Sequence, residues 1–196
     1  TDIRGTEFTE DTTFTANFAI RTDLSYEVHY FYDGTEDSES AVIETEAIFD
    51  EAIPYDKTSP KEYMGKNYVL GHVEKTGSGR VTTEAEKNIV NVYYLSDGDE
   101  DGTADEYQIT LKFEAGANGT VTGTTEEKHT VRIVELNADG TVKSDTTTPA
   151  TPKAEVIANA NNGYAFVNWT AGEESYNDVT DIRGTEFTED TTFTAN

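Results

Sequence analysis

Apolar and polar residues alternate along most of this chain, and the alternation has the period of a β-strand. Residues 26–32 read YEVHYFY, dense in β-formers, and close on the turn pair Asp33-Gly34. Residues 89–95, IVNVYYL, predict a second strand. In 107–113, YQITLKF, the alternation puts Tyr107, Ile109, Leu111 and Phe113 on one face. Residues 120–122 predict a short strand between glycines. Residues 129–136, HTVRIVEL, predict one continuous strand that turns at Asn137-Ala138-Asp139-Gly140. Further strands are predicted at 153–158, 165–169 and 191–195. The one helical candidate is 40–53, where Ala41, Ile43, Ala47, Ile48 and Ala52 lie among acids ahead of Pro54; the spacing fits a helix and a strand equally poorly. The expected fold class is therefore mainly β, as two small β-sheet domains in tandem.

The division falls at 96–106, SDGDEDGTADE, where Ala104 is the one apolar residue after a strong strand. That composition predicts an acidic linker between a first domain at 24–95 and a second at 107–196. The ends of the chain carry a larger signal. The first seventeen residues, TDIRGTEFTEDTTFTAN, recur letter for letter as 180–196. Such a match predicts one full period, 18–196, of a near-identical tandem array, with 1–17 as the closing strand of the preceding copy and 18–23 as the joint between copies. Residues 180–196 are expected to close the second domain. Their groove being filled, 1–17 are expected to be loose or paired with a neighbouring molecule.

Composition narrows the partners. There are 39 acidic and 14 basic residues, a net charge of −25. This surface repels nucleic acid, anionic membrane and other copies of itself, which favours an extended array. Without cysteine there is neither a disulfide framework nor a thiolate metal site. No apolar run approaches the ~20 residues needed to span a bilayer. No leader segment is visible, as expected of an internal piece of a longer protein. With 35% hydrophobic residues but 11 Tyr and 9 Phe, each core should be thin and aromatic.

One motif carries sharper chemistry. Asp97-Gly98-Asp99-Glu100-Asp101-Gly102 spells D-x-D-x-D-G, the opening of a calcium loop. Carboxylates at every second position can converge on one hard cation, and glycine at the sixth permits the sharp turn. Thr103 could add its carbonyl, and Asp105 or Glu106 could complete the shell. Gln108 stands where the bidentate Glu would be, so a calcium loop and a bare solvated linker both remain open. His29, His72 and His129 are scattered and read as ordinary surface or sheet positions. Phosphate-loop, nucleophile-elbow and zinc-helix patterns are absent from the sequence. Trp169 reads as a core anchor, with ligand stacking as the other role. Tyr93 and Tyr94 adjoin in one strand and must face opposite ways. Asn118 and Asn168 open glycosylation sequons, read as coincidental. A Lys–Asn isopeptide bond would need a buried lysine, whereas Lys112 alternates with apolar neighbours and is expected outside.

Two resemblances rest on longer phrases. Tyr107-Gln108-Ile109-Thr110-Leu111, residues 116–123, GANGTVTG, the segment 163–170, GYAFVNWT, and 187–196, FTEDTTFTAN, together resemble the divergent internalin-type B-repeat of bacterial surface proteins. That pattern ends on a further Phe, present here as Phe18 after Asn17, and lacks the long polar insertion at about 126–152. Residues 26–34, 65–71 (with Asn67-Tyr68-Val69-Leu70) and 88–95 resemble a mucin-binding-protein-type β-grasp repeat. These resemblances imply β-grasp or ubiquitin-like sheets whose first and last strands lie parallel. They imply an extracellular, cell-surface adhesin or stalk without an active site. The implied partners are neighbouring repeats and host glycans or proteins. A filament built by exchanged terminal strands and a carbohydrate-binding accessory module are the alternatives.

Overall fold

The structure, a computed structural model, describes residues 3–196. It is mainly β, with 45% strand and 6% helix. The first sheet contains β1 (Leu24–Tyr32), β2 (Thr35–Glu36), β3 (Val42–Ala47), β4 (Lys61–Tyr63), β5 (Lys66–Lys75) and β6 (Ile89–Ser96). Its order is β2-β1-β6-β5-β4, with β3 also on β1. The first and last strands, β1 and β6, are parallel neighbours, and every other pairing is antiparallel. Asp33 and Gly34 both take positive φ, as a two-residue hairpin of this twist requires, and Met64-Gly65 does the same between β4 and β5.

Alternation decides what this sheet buries. Val28, Tyr30 and Tyr32 of β1 and Val90, Val92 and Tyr94 of β6 point into one core, joined by Tyr68, Val73, Val81 and Ile53. The Tyr32 ring stacks on Tyr63 at 3.8 Å and on Tyr94 at 5.3 Å. The tyrosines supply area that aliphatic residues do not. Among the described residues the one fully buried side-chain amide, Asn88, is satisfied: it donates to the Ser25 and Thr82 carbonyls and accepts from the Thr82 amide and hydroxyl. Residues 40–53 are not a helix. Their centre is β3, an edge strand that leaves Val42 and Ile43 exposed, which is why no period was visible.

The second half contributes β7 (Gln108–Ala115), β8 (Gly119–Gly123), β9 (Glu126–Thr130), β10 (Arg132–Leu136), β11 (Val142–Thr147), β12 (Val156–Ala160), β13 (Trp169–Ala171), β14 (Glu174–Tyr176), the short helix α1 (Val179–Arg183) and β15 (Thr191–Ala195). Its main sheet runs β14-β13-β15-β7-β9, and again the first and last strands, β7 and β15, are parallel neighbours. Residues 129–136 are two strands, not one. Val131 turns into the core, so β9 stays in the main sheet while β10 leaves to pair with β11. Of 165–169, only Trp169 is in a strand. The core gathers Leu111, Phe113, Trp169, Ile182 and Phe193, with Phe166 and Phe187 packed against it.

The joint between the halves departs from a bare linker. Residues 96–106 fold back on themselves, with Asp97 and Ala104 buried, and the Asp97 amide donates to the Asn67 carbonyl at 2.9 Å. The polar insertion makes a second link. The β10–β11 turn reaches over the first sheet, where the Val73 amide donates to Gly140 O at 2.9 Å and the Tyr55 hydroxyl donates to Asp139 O at 2.7 Å. Lys75 Nζ pairs with Asp139 Oδ2 at 2.8 Å, and Lys57 donates to the Ala138 carbonyl. Gly140 sits at φ +84°, and a Cβ there would meet Val73 Cγ2 at 2.7 Å. The insertion thus ties two separate cores together.

The repeated sequence takes two forms in one chain. At 182–196 it completes the second core: Ile182 and Phe193 are fully buried, β15 lies between β7 and β13, and Thr110 donates its amide to Asp190. At 3–17 every residue is exposed and there is no helix or strand. Local contacts survive in both. Phe8 meets Phe14 edge-on at 5.1 Å, as Phe187 meets Phe193 at 5.2 Å. Thr12 Oγ1 donates to Glu10 O at 3.0 Å, as Thr191 Oγ1 does to Glu189 O at 3.0 Å. What differs needs partners outside the repeat. The amides opening α1 are capped by Asp178, and β15 needs β7 and β13.

Candidate functional site

The acidic loop brings together the side chains that can bind a cation. Oxygens of Asp97, Asp99 and Asp105 lie within 4.8 Å of one another. Positive φ at Glu100 and Gly102 lets the loop double back. Asp97 holds that turn: Oδ1 accepts from the Asp101 amide at 3.1 Å and Oδ2 from the Gly102 amide at 3.0 Å. Asp105 Oδ2 accepts from the Gly98 amide at 2.9 Å, which closes the loop from the other side.

Asp101 is outside the group. Its Oδ2 accepts from Gln108 Nε2 at 2.6 Å and its Oδ1 from the Thr103 amide at 2.8 Å. The Gln108 bond leads these contacts in holding the carboxyl below its usual range. Thr103 therefore enters through its amide, and Gln108, at the place of the bidentate Glu, orients Asp101 instead. The sequence did not reveal Lys128. Its ammonium, carried on β9, lies 2.6 Å from Asp99 Oδ2 and 3.9 Å from Asp105 Oδ1. The hydrogen bond to Asp99 raises the lysine pKa. A calcium ion would compete with this internal cation for the same oxygens.

The other candidates separate. His29 sits between Glu36 and Glu27, at 2.6 and 3.0 Å; His72 faces Glu74; His129 faces Glu127. The three do not meet. Trp169 is 2% exposed and packs edge-on to Phe113, which places it in the core. Tyr94 is buried, while Tyr93 lies on the outer face between Phe31 and His72, with ring centroids 4.8 and 4.5 Å away. These three rings cover one another's faces and do not form a flat platform for a sugar. Lys112 is exposed beside Glu126. No described helix is long and apolar enough to cross a membrane.

A cleft of about 230 Å³ opens where β15 ends, lined by Ala158, Tyr164, Phe166, Val167, Ala195 and Asn196 among others. In comparisons with protein-family models, curated proteins and solved structures, nothing matches this chain.

Proposed function

We propose that this chain is one period of a tandem array exposed at a cell surface, a non-catalytic unit of an adhesin or stalk. The observation that carries this reading is the repeated seventeen-residue sequence, of which 182–196 help build the second core while 3–17 stand exposed. Strand topology supports a load-bearing role. Each half has its first and last strands side by side and parallel. A pull along the chain would shear all the hydrogen bonds of each pair together. The docked insertion supports reach, because two links restrain the halves more than one. The net charge of −25 keeps neighbouring arrays apart. The partners are adjacent repeats, with host glycans or surface proteins as targets. The acidic loop is a weak calcium site that stiffens the joint at the millimolar concentrations found outside cells.

The filament reading rests on exposed 3–17, but the matching groove is already filled by the chain's own β15. An antibody to the repeated sequence tests the proposal on intact cells. The expected result is a protease-sensitive surface antigen whose mass accommodates several periods. A single copy confined to the cell interior overturns it.

A further inference from the structure

We propose that the cleft at the end of β15 is the seat of Phe18 of the next copy, so that each unit of the array lends one aromatic side chain to the core of the unit before it. The inference rests on the array reading, in which a second copy's Phe18 follows Asn196.

Strand geometry sets the direction. Along β15, Phe193 and Ala195 are buried and Thr192 and Asn196 exposed. The next inward position is therefore the one after Asn196. The ladder runs on to that point: the Val167 amide donates to Asn196 O at 2.7 Å, and the Asn196 amide donates to Asn168 O at 2.9 Å. An inward side chain one step further faces the cleft, whose wall includes Ala195 and Val167.

The chemistry fits one residue type. The lining is largely apolar, and at about 230 Å³ the cleft exceeds the roughly 150 Å³ that suffices to hold a benzene ring in an apolar cavity. At its first occurrence the repeated sequence is followed by Phe18, which is 95% exposed and has no packing partner in its own unit among the described residues. Phe14, Ala16 and Phe18 share the parity of Phe193, Ala195 and the next inward position. The consequence is a short joint. Leu24 is already in the first core of its own unit, so Phe18 to Leu24 can span only roughly 20 Å when fully extended. Consecutive units would be held close, without a free hinge.

The test compares three proteins: the chain as it stands, the chain extended by Phe-Ala-Ile-Arg-Thr-Asp (the sequence of 18–23), and the same extension with serine in place of its phenylalanine. Melting of the second half is followed by fluorescence of Trp169. The phenylalanine extension should raise the midpoint by roughly 6 °C or more over the serine extension. Its ring should also show nuclear Overhauser contacts to the Ala158 and Val167 methyls. Equal midpoints, or a rise without those contacts, overturn the assignment. The outcome does not depend on the native protein's size. A filled cleft in a solitary native unit would keep the seat and sink the array; an unfilled cleft in a long array would do the reverse.

Discussion

Phe193 and Phe14 occupy the same place in the same seventeen-residue sequence, so truncating each to alanine separates tertiary context from local sequence. Phe193 is fully buried, stacked on Phe113 at 4.9 Å and met edge-on by Phe187 and Tyr176. Phe193→Ala removes that area and leaves a cavity between β7 and β13, at a cost of ~3–5 kcal/mol. Set against the ~5–15 kcal/mol that holds an ordinary domain together, this threatens the whole second half. For a unit of this size it lowers the midpoint by roughly 12 °C or more. Phe14 is 54% exposed and touches Phe8. Phe14→Ala should stay within ~0.5 kcal/mol, as exposed substitutions do. Urea unfolding read from Trp169, the chain's one tryptophan, gives both numbers in the same units. A Phe193→Ala loss below ~1 kcal/mol, or equal losses at the two sites, would refute the reasoning that burial in the groove distinguishes the copies.

Three further outcomes follow from single contacts. Gly140→Ala meets Val73 from a backbone at φ +84° and should cost ~1–3 kcal/mol at the docked turn; hydrogen exchange of the Val73 amide should speed up, and unchanged protection would contradict the docking. Asp56 is held at a pKa of about 2, first by the Thr58 hydroxyl and then by Lys61, below its unfolded value of ~3.9. Its contribution is therefore complete above pH ~4 and lost as pH falls toward ~2. With solvent screening of this half-exposed carboxylate it amounts to about 1 kcal/mol, so the stability gap between wild type and Asp56→Asn should close over that interval; a constant gap would contradict it. Lys128→Met removes the internal cation from Asp99, and calorimetric titration should show calcium binding about tenfold tighter, a gain that Asp97→Asn abolishes; equal heats in wild type and Lys128→Met would rule out competition for these carboxylates.

Much of the sheet was legible because its central strands alternate cleanly. β1, β6, β7 and β15 each have one buried face, and period two shows it. The edges were not legible. β3 exposes Val42 and Ile43, so burial leaves no imprint on its sequence. Residues 129–136 look continuous because β-propensity does not register that Val131 turns inward and splits them between sheets. The helix at the start of 180–196 depends on Asp178, outside the repeat, so its sequence alone predicted a strand. In the acidic loop the D-x-D-x-D-G spacing located Asp97 and Asp99, and Asp105 was named as a completing ligand. The spacing could not show that Gln108 draws Asp101 aside or that Lys128, distant in sequence, arrives on β9. The polar insertion read as a departure from a resemblance. Its docking on Val73 and Tyr55 is a long-range contact with no sequence period.

Hydrogen exchange offers a direct check, because the two copies give peptides of identical mass. Any peptide wholly inside the repeated sequence reports 3–17 and 182–196 together. If one copy is locked between β7 and β13 and the other is exposed, its isotope envelope splits from the first time point into two equal populations, one exchanged and one protected, and the ratio stays fixed until the second half unfolds. A single envelope, fast or slow, would mean that both copies share one state, and the position-dependent folding on which the array reading stands would be wrong.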